Sequence, residues 1–224
     1  QSYMDILEAR FKTRINWKFR IIRLKNRAKV IQSVILKRNE NWIFRRLWTL
    51  KYGIVAFPSK KLQDLANTYR KRYDPHYAKI TPHMTLKDAF DADEMQIQEI
   101  SQKLSEIAKR FSSLTIHASR ISSFFPTTNA IYFRIEPTPQ LIKIQKEIQE
   151  QLQIGKPKYV FVPHITIAQN LSDAEHDDIF GQLRMIGVNE QETIDRIHLL
   201  YQLEDGSWTT YETFRLSGAE WVHA

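Results

Sequence analysis

A five-residue pattern occurs twice in this chain. Pro82-His83-Met84-Thr85-Leu86 returns 81 residues later as Pro163-His164-Ile165-Thr166-Ile167. Each copy reads as a short strand entered through a proline. Residues two apart on a strand share a face. His83 and Thr85 therefore point one way, and His164 and Thr166 do the same in their own copy. Met84, Leu86, Ile165 and Ile167 point the other way, into a core. Two such strands brought together would gather two imidazoles and two hydroxyls around one cleft.

Those side chains suit a specific chemistry. Imidazole is the group best matched to moving protons near neutral pH. A hydroxyl binds phosphate oxygens without adding negative charge. One His-x-Thr on a strand is usually only a polar face, but two copies in matching contexts point to a paired site. Neither copy has a Glu, Asp or second His at i+3 or i+4, so a metal centre is disfavoured. The chain has no Cys, which excludes thiol nucleophiles, disulfides and thiolate metal sites. Its six glycines form neither a Walker loop nor a dinucleotide fingerprint, so no nucleotide cofactor is expected.

The two His-x-Thr-apolar motifs resemble those of the 2H phosphoesterase superfamily. The run Lys51-Tyr-Gly-Ile-Val-Ala-Phe-Pro-Ser-Lys-Lys, the segment Tyr73-Asp-Pro-His and the stretch His198-Leu-Leu-Tyr-Gln-Leu-Glu-Asp-Gly-Ser-Trp are similar to the bacterial YjcG group within it. The resemblance covers about Leu50 to Gly218. It implies a two-lobed α+β fold with internal pseudo-symmetry and a central cleft. It implies metal-independent hydrolysis of cyclic phosphates or 2′–5′ linkages, with a nucleotide or RNA-derived substrate. It also implies that His83 is the proton donor and His164 the acceptor, an order that two near-equivalent motifs cannot themselves assign. Thr85 and Thr166 would hold the non-bridging oxygens. Lys87, two residues past Thr85, is expected on the same face, either adding positive charge or standing as a solvated strand-end lysine. A non-catalytic RNA- or nucleotide-binding protein that keeps the cleft is the alternative, and intact His and Thr in both motifs favours the enzyme.

Charge divides the chain. Residues 1–49 hold 13 Lys and Arg against Asp5, Glu8 and Glu40, a net of +10, while the whole chain is +8. Residues 50–224 therefore net −2, and the basic character belongs to the first segment alone. That segment interleaves Arg and Lys with apolar residues, as a mobile basic amphipathic helix on RNA or a membrane surface would. It is too charged to span a bilayer and lacks the apolar core of a secretory signal. The expectation is instead translated leader ahead of a start at Leu50, since Leu can be encoded by the start codon TTG and Arg45-Arg46 by the ribosome-binding sequence AGGAGG. Residues 50–224 are then one phosphoesterase-like domain, cytoplasmic and without stable membrane association.

Local signals place the elements. Strands are expected at Tyr52–Phe57, His83–Lys87, Leu114–Ala118, Ala130–Ile135 and Tyr159–Ala168. An Ile194–Leu203 and Trp208–Leu216 hairpin turns at Asp205-Gly206. Helices are expected over Lys60–Tyr73, from an Asp91-x-x-Glu94 capping box to Phe111, from Thr138-Pro139 to Gln153, and from a Ser172-x-x-Glu175 box to Met185. Phe124, Phe125 and Tyr132 could stack a base, although packing is the commoner role. His76, His117, His176, His198 and His223 are expected to be surface or core residues.

Overall fold

The computed structural model describes residues 49–155 and 159–218. The basic segment, apart from Thr49, lies outside the described residues, and so does His223. Twelve elements follow in order: β1 (Leu50–Ala56), α1 (Lys60–Tyr73), β2 (Met84–Ala92), α2 (Glu94–Arg110), β3 (Leu114–Ser123), β4 (Ile131–Ile135), α3 (Pro139–Leu152), β5 (His164–Ala168), α4 (Asp173–Leu183), β6 (Gly187–Ile194), β7 (Arg196–Gln202) and β8 (Trp208–Arg215).

The helix starts follow from their caps. Thr138 accepts from the Leu141 amide at 3.2 Å and is followed by Pro139 at the first helical position, where a missing N–H costs nothing. Ser172 and Glu175 form the expected reciprocal box. The cap of α2 differs from expectation. Asp93, not Asp91, accepts from the Gln96 amide at 2.8 Å, and the Gln96 side chain returns to the Asp93 amide at 3.0 Å. Asp91 is held in β2, because that strand runs on to Ala92 opposite Leu50.

All eight strands join one antiparallel sheet in the order β6-β3-β4-β5-β2-β1-β7-β8. The order is symmetric about the β5–β2 seam: β4 and β1 flank it, then β3 and β7, then β6 and β8. Strands β6 and β7 stand six places apart in the sheet, yet only Asp195 separates them in sequence. A single residue cannot span a flat sheet of that width at 4.7–4.9 Å per strand, so the sheet is strongly curled. The result is the expected two-lobed α+β architecture. The helices cross over the seam on the convex side: α1 packs on β5 and α3 on β2. Between helices and sheet lies a core that includes Ile54, Leu62, Met84, Leu86, Ile144, Phe133 and Ile165, all 0–1% exposed. Each motif strand thus turns its apolar residues to the helices and leaves its His and Thr on the concave face.

Besides the longer β2 and the earlier start of β1 at Leu50, β3 and β6 go beyond expectation. β3 continues past Ala118 to Ser123, so the following loop is shorter. β6 is an addition to the expected elements: of its eight residues only Val188 and Ile194 are buried. It is an edge strand, and polar residues blunt such edges. Conversely, Tyr159–Pro163 is not strand, and regular pairing of the second motif begins at His164 itself.

Candidate active site

The two motif strands are neighbours, and Met84 lies directly opposite Ile165. These are the same position of each motif, the residue after His. In an antiparallel pair this register sets His83 beside Thr166 and Thr85 beside His164. All four sequence-predicted residues are half-buried on the concave face.

Both imidazoles are held alike. His83 Nδ1 donates to the carbonyl of Thr81 at 2.8 Å, and His164 Nδ1 donates to the carbonyl of Val162 at 2.7 Å. A carbonyl only accepts, so Nδ1 carries the proton and Nε2 presents a lone pair. Each bond runs back two residues, across the proline that opens the strand.

A buried ion pair sets the approach to His83. Arg70, near the end of α1, donates to Asp74 Oδ2 at 2.7 Å and to the carbonyls of Ile80 at 2.8 Å and His76 at 3.3 Å. The Arg70 and Asp74 side chains are 3% and 1% exposed. Asp74 also accepts from Gln169 Nε2 at 2.9 Å, just past the end of β5, and the Gln169 amide donates to Tyr73 O. This network fastens the 74–81 loop to both motif strands. Burial alone would raise the Asp74 carboxyl, but the bonds from Arg70, Gln169 and the His76 amide outweigh it and hold it below its ordinary value.

Cross-strand registers identify the rest of the concave face. Val55 opposes Thr85, and His198 opposes Val55. On the other lobe Tyr132 opposes Thr166 and Arg134 opposes His164, while Ser122 and Arg120 oppose Tyr132 and Arg134. Phe124 covers Tyr132 at 4.2 Å between ring centroids, and meets the His164 ring edge-on at 4.9 Å. Tyr132 itself lies 5.2 Å from His164.

The 2′-5′ RNA ligase superfamily matches residues 57–206. A relative from Geobacillus sp. (strain WCH70) is 52% identical over 171 residues, which is 76% of this chain and 99% of the relative. A second, from Geobacillus kaustophilus, is 51% identical over 77% of this chain and its own full length. Both carry phosphoesterase names. This chain belongs to the 2′-5′ RNA ligase superfamily. It is a 2H phosphoesterase, with the phosphodiester chemistry of that superfamily. Among solved structures, Escherichia coli LigT complexed with 3′-AMP matches with a TM-score of 0.60 at 14% identity, over 75% of this chain and 99% of LigT. A protein from Thermus thermophilus matches with a TM-score of 0.57 at 13% identity, over 76% of this chain and all of its own. At such identities the likeness establishes the fold.

In the 2H phosphoesterase cleft both imidazoles are harder to protonate than in water. Burial is the main cause for His83, whose value falls to about 4; the bond to the Thr81 carbonyl and the Asp74 charge oppose it, and the Arg70 cation adds to it. Burial also lowers His164, with Asp88 opposing. At neutral pH both lowered values favour the neutral ring. Among the described residues no group of three or more His, Asp or Glu is arranged to hold a metal ion. No helix among them is long and apolar enough to cross a membrane.

Lys87 departs from expectation. The β1–β2 register shifts between Val55 and Ile54, so Lys87 opposes core residue Ile54 rather than continuing the Thr85 face. Such a bulge places two successive residues on one side of the sheet. Lys87 is 5% exposed, and its Nζ donates to Gln149 Oε1 of α3 at 2.7 Å. Desolvation lowers its pKa, with Asp88 opposing. It is neither in the cleft nor a solvated lysine.

Among the remaining histidines, His176 is buried between Phe125 and Phe180, and its Nε2 pairs with Ser123 Oγ at 2.6 Å. Phe125 thus serves packing, whereas Phe124 and Tyr132 reach the site. His198, expected to be an ordinary surface or core residue, lies on the cleft face. Arg120 and Arg134 join it there, although the sequence motifs do not single them out. The signal for Arg134 is the alternation Ile131-Tyr-Phe-Arg-Ile135, whose odd positions are core and whose even positions face the cleft.

Proposed function

We propose that this chain is a metal-independent phosphodiesterase acting on cyclic phosphates or 2′–5′ linkages of nucleotides or RNA, with His83 as proton donor and His164 as proton acceptor. The observation that carries the proposal is the Met84–Ile165 register, with both Nδ1 atoms engaged by carbonyls. It leaves two Nε2 atoms, one from each lobe, for a single phosphate.

His164 Nε2 takes a proton from water as the water oxygen bonds to phosphorus. The bond from phosphorus to the departing oxygen breaks, and protonated His83 supplies that oxygen with its proton. Thr85 and Thr166 donate to the non-bridging oxygens and hold phosphorus in line. The proton on His83 comes with the substrate: a phosphate anion between the rings offsets the burial that keeps His83 neutral. Arg134, across from His164, adds positive charge on the acceptor side. The 3′-AMP in the LigT crystals is consistent with a nucleotide ligand for this fold.

The test is hydrolysis of a panel of 2′,3′-cyclic mononucleotides and 2′–5′-linked dinucleotides in excess EDTA. Turnover that His83→Ala and His164→Ala each abolish is expected. Tight nucleotide binding without turnover would favour a binding protein instead, and turnover lost in EDTA and restored by zinc would overturn the mechanism.

A further inference from the structure

Both motifs end in the same irregularity. On the first lobe Val55 opposes Thr85 but its neighbour Ile54 opposes Lys87, so Leu86 is an extra residue in β2. On the second lobe Tyr132 opposes Thr166 but its neighbour Ile131 opposes Ala168, so Ile167 is an extra residue in β5. Each bulge sits directly after a motif threonine, against the outer neighbour of the motif strand. Burial agrees, because two successive residues face the core at each place. Leu86 and Lys87 are 1% and 5% exposed, and Ile167 and Ala168 are both 0% exposed. A bulge bends its strand, raises the local twist and re-aims the side chains beside it. Here those side chains are Thr85 and Thr166.

The two bulges are held differently. On the second lobe the residue after the bulge is Ala168, whose apolar side chain suits the core. On the first lobe it is Lys87, whose amine is costly to bury without a partner. Gln149 of α3 supplies one: Lys87 Nζ donates to Gln149 Oε1 at 2.7 Å. The other end of the same amide, Nε2, donates to the Leu86 carbonyl at 3.5 Å. An ammonium only donates and a carbonyl only accepts, so the two contacts orient the amide together. The extra residue of a bulge drops out of the strand ladder, and its backbone groups need partners elsewhere. One side chain thus serves both the extra residue and the buried amine. Its support is firm, since Ile144, Ile148 and Leu152 of the same helix are buried. The Phe90 ring adds a second contact, with its centroid 6.0 Å from Lys87 Nζ.

We propose that Lys87 and Gln149 are positioning residues for Thr85: by holding the bulge that follows it, they aim its hydroxyl at the phosphate, a role that rests on Thr85 donating to a non-bridging oxygen. Without the Gln149 amide, strict alternation returns Leu86 to the place opposite Ile54 and carries Lys87 to the cleft face. The strand then loses its bend one residue past Thr85, and the hydroxyl turns with it. Thr166 does not depend on this pair, because Ala168 stays in the core by its own apolarity.

The experiment is a pair of double-variant cycles on kcat/KM for 2′,3′-cyclic AMP in the full chain. Gln149→Leu is combined with Thr85→Val and, separately, with Thr166→Val. Alone, Gln149→Leu is expected to lower kcat/KM about tenfold, within the roughly 10²-fold that a misplaced group can cost. In the Thr85→Val background it is expected to cost less than about twofold, while in the Thr166→Val background it keeps its full effect. Equal effects in both backgrounds, or parental turnover in folded Gln149→Leu, would overturn the proposal, because a role in stability alone does not single out Thr85. Where Gln149→Leu does not fold, Lys87→Met passes through the same cycles and is judged by the same outcomes. If the parent chain turns over no cyclic phosphate, the proposed function fails, and the cycles are run on affinity for inorganic phosphate. Coupling to Thr85→Val alone then supports the positioning role. Equal effects in the two backgrounds, or no phosphate binding, overturn it.

Discussion

Met84 and Ile165 stand opposite one another at the centre of the eight-stranded sheet, on the pseudo-twofold axis that exchanges His83 with His164. The motifs are equivalent by position and differ in their surroundings. Arg134 lies opposite His164 in the sheet, whereas the β1 pairing on the other side ends at Ala56 opposite Met84, before it reaches His83.

Removing either histidine is expected to lower kcat by about 10²–10⁴-fold, the usual worth of a positioned proton transfer. The His83→Ala, His164→Ala double variant should lose little more than either single variant, because the pair acts as a unit. Thr85→Val and Thr166→Val should lower kcat by smaller factors. Steady-state kinetics on one cyclic nucleotide measures all five. Additive losses in the double variant would mean that the two rings serve separate steps.

Phosphate binding is expected to take up a proton. Burial favours the neutral form of both rings, and an anion between them favours the charged form. Affinity for inorganic phosphate should therefore rise as pH falls from 8 to 6, as read by calorimetry in two buffers of different ionisation enthalpy. His83→Asn and His164→Asn should each reduce the proton uptake. Affinity that is flat with pH would contradict neutral rings.

Acid should destabilise the fold through His83. Its value falls from 6.5 to about 4 on burial. Between those values the unfolded chain binds more protons than the folded one, so stability is fully present above about pH 6.5 and is lost as pH falls towards 4. A shift of this size corresponds to about 3 kcal/mol. Urea unfolding from pH 7 to 4.5 measures the slope, and His83→Asn should flatten it relative to the parent chain.

Breaking the Arg70–Asp74 pair should cost about 3–5 kcal/mol, since either single change leaves one buried charge without its partner. Arg70→Met and Asp74→Asn should lower the midpoint of urea denaturation. They should also slow turnover in folded protein, because Arg70 holds the carbonyls of His76 and Ile80 in the loop leading into His83. A variant with parental turnover and only a lower midpoint would assign the network to stability alone.

The pattern Pro-His-x-Thr makes the site legible because period two is strict: once Met84 and Ile165 are core, His and Thr must share the other face. The same rule misplaces Lys87, since a bulge adds a residue and reverses the alternation, and no residue type announces it here. His198, Arg120 and Arg134 are hidden for another reason. Each belongs to the cleft only through its cross-strand partner, and one sequence carries no pairing. β6 escapes because an exposed edge strand needs few apolar residues, whereas α3 and α4 are readable from Thr138 and Ser172 at their caps.

The seam also bears on how the two halves hold together. Strands β2 and β5 would each be an outer strand of a separate half, with unpaired amides and carbonyls open to any passing chain. In the intact protein they satisfy one another, but only briefly, because Pro82 and Pro163 at their entrances have no N–H to extend the ladder. The pairing of the two halves at this seam rests on Met84 opposite Ile165. The least protected backbone of either half is thus the backbone that bears its histidine, and halves expressed apart should self-associate through their motif strands.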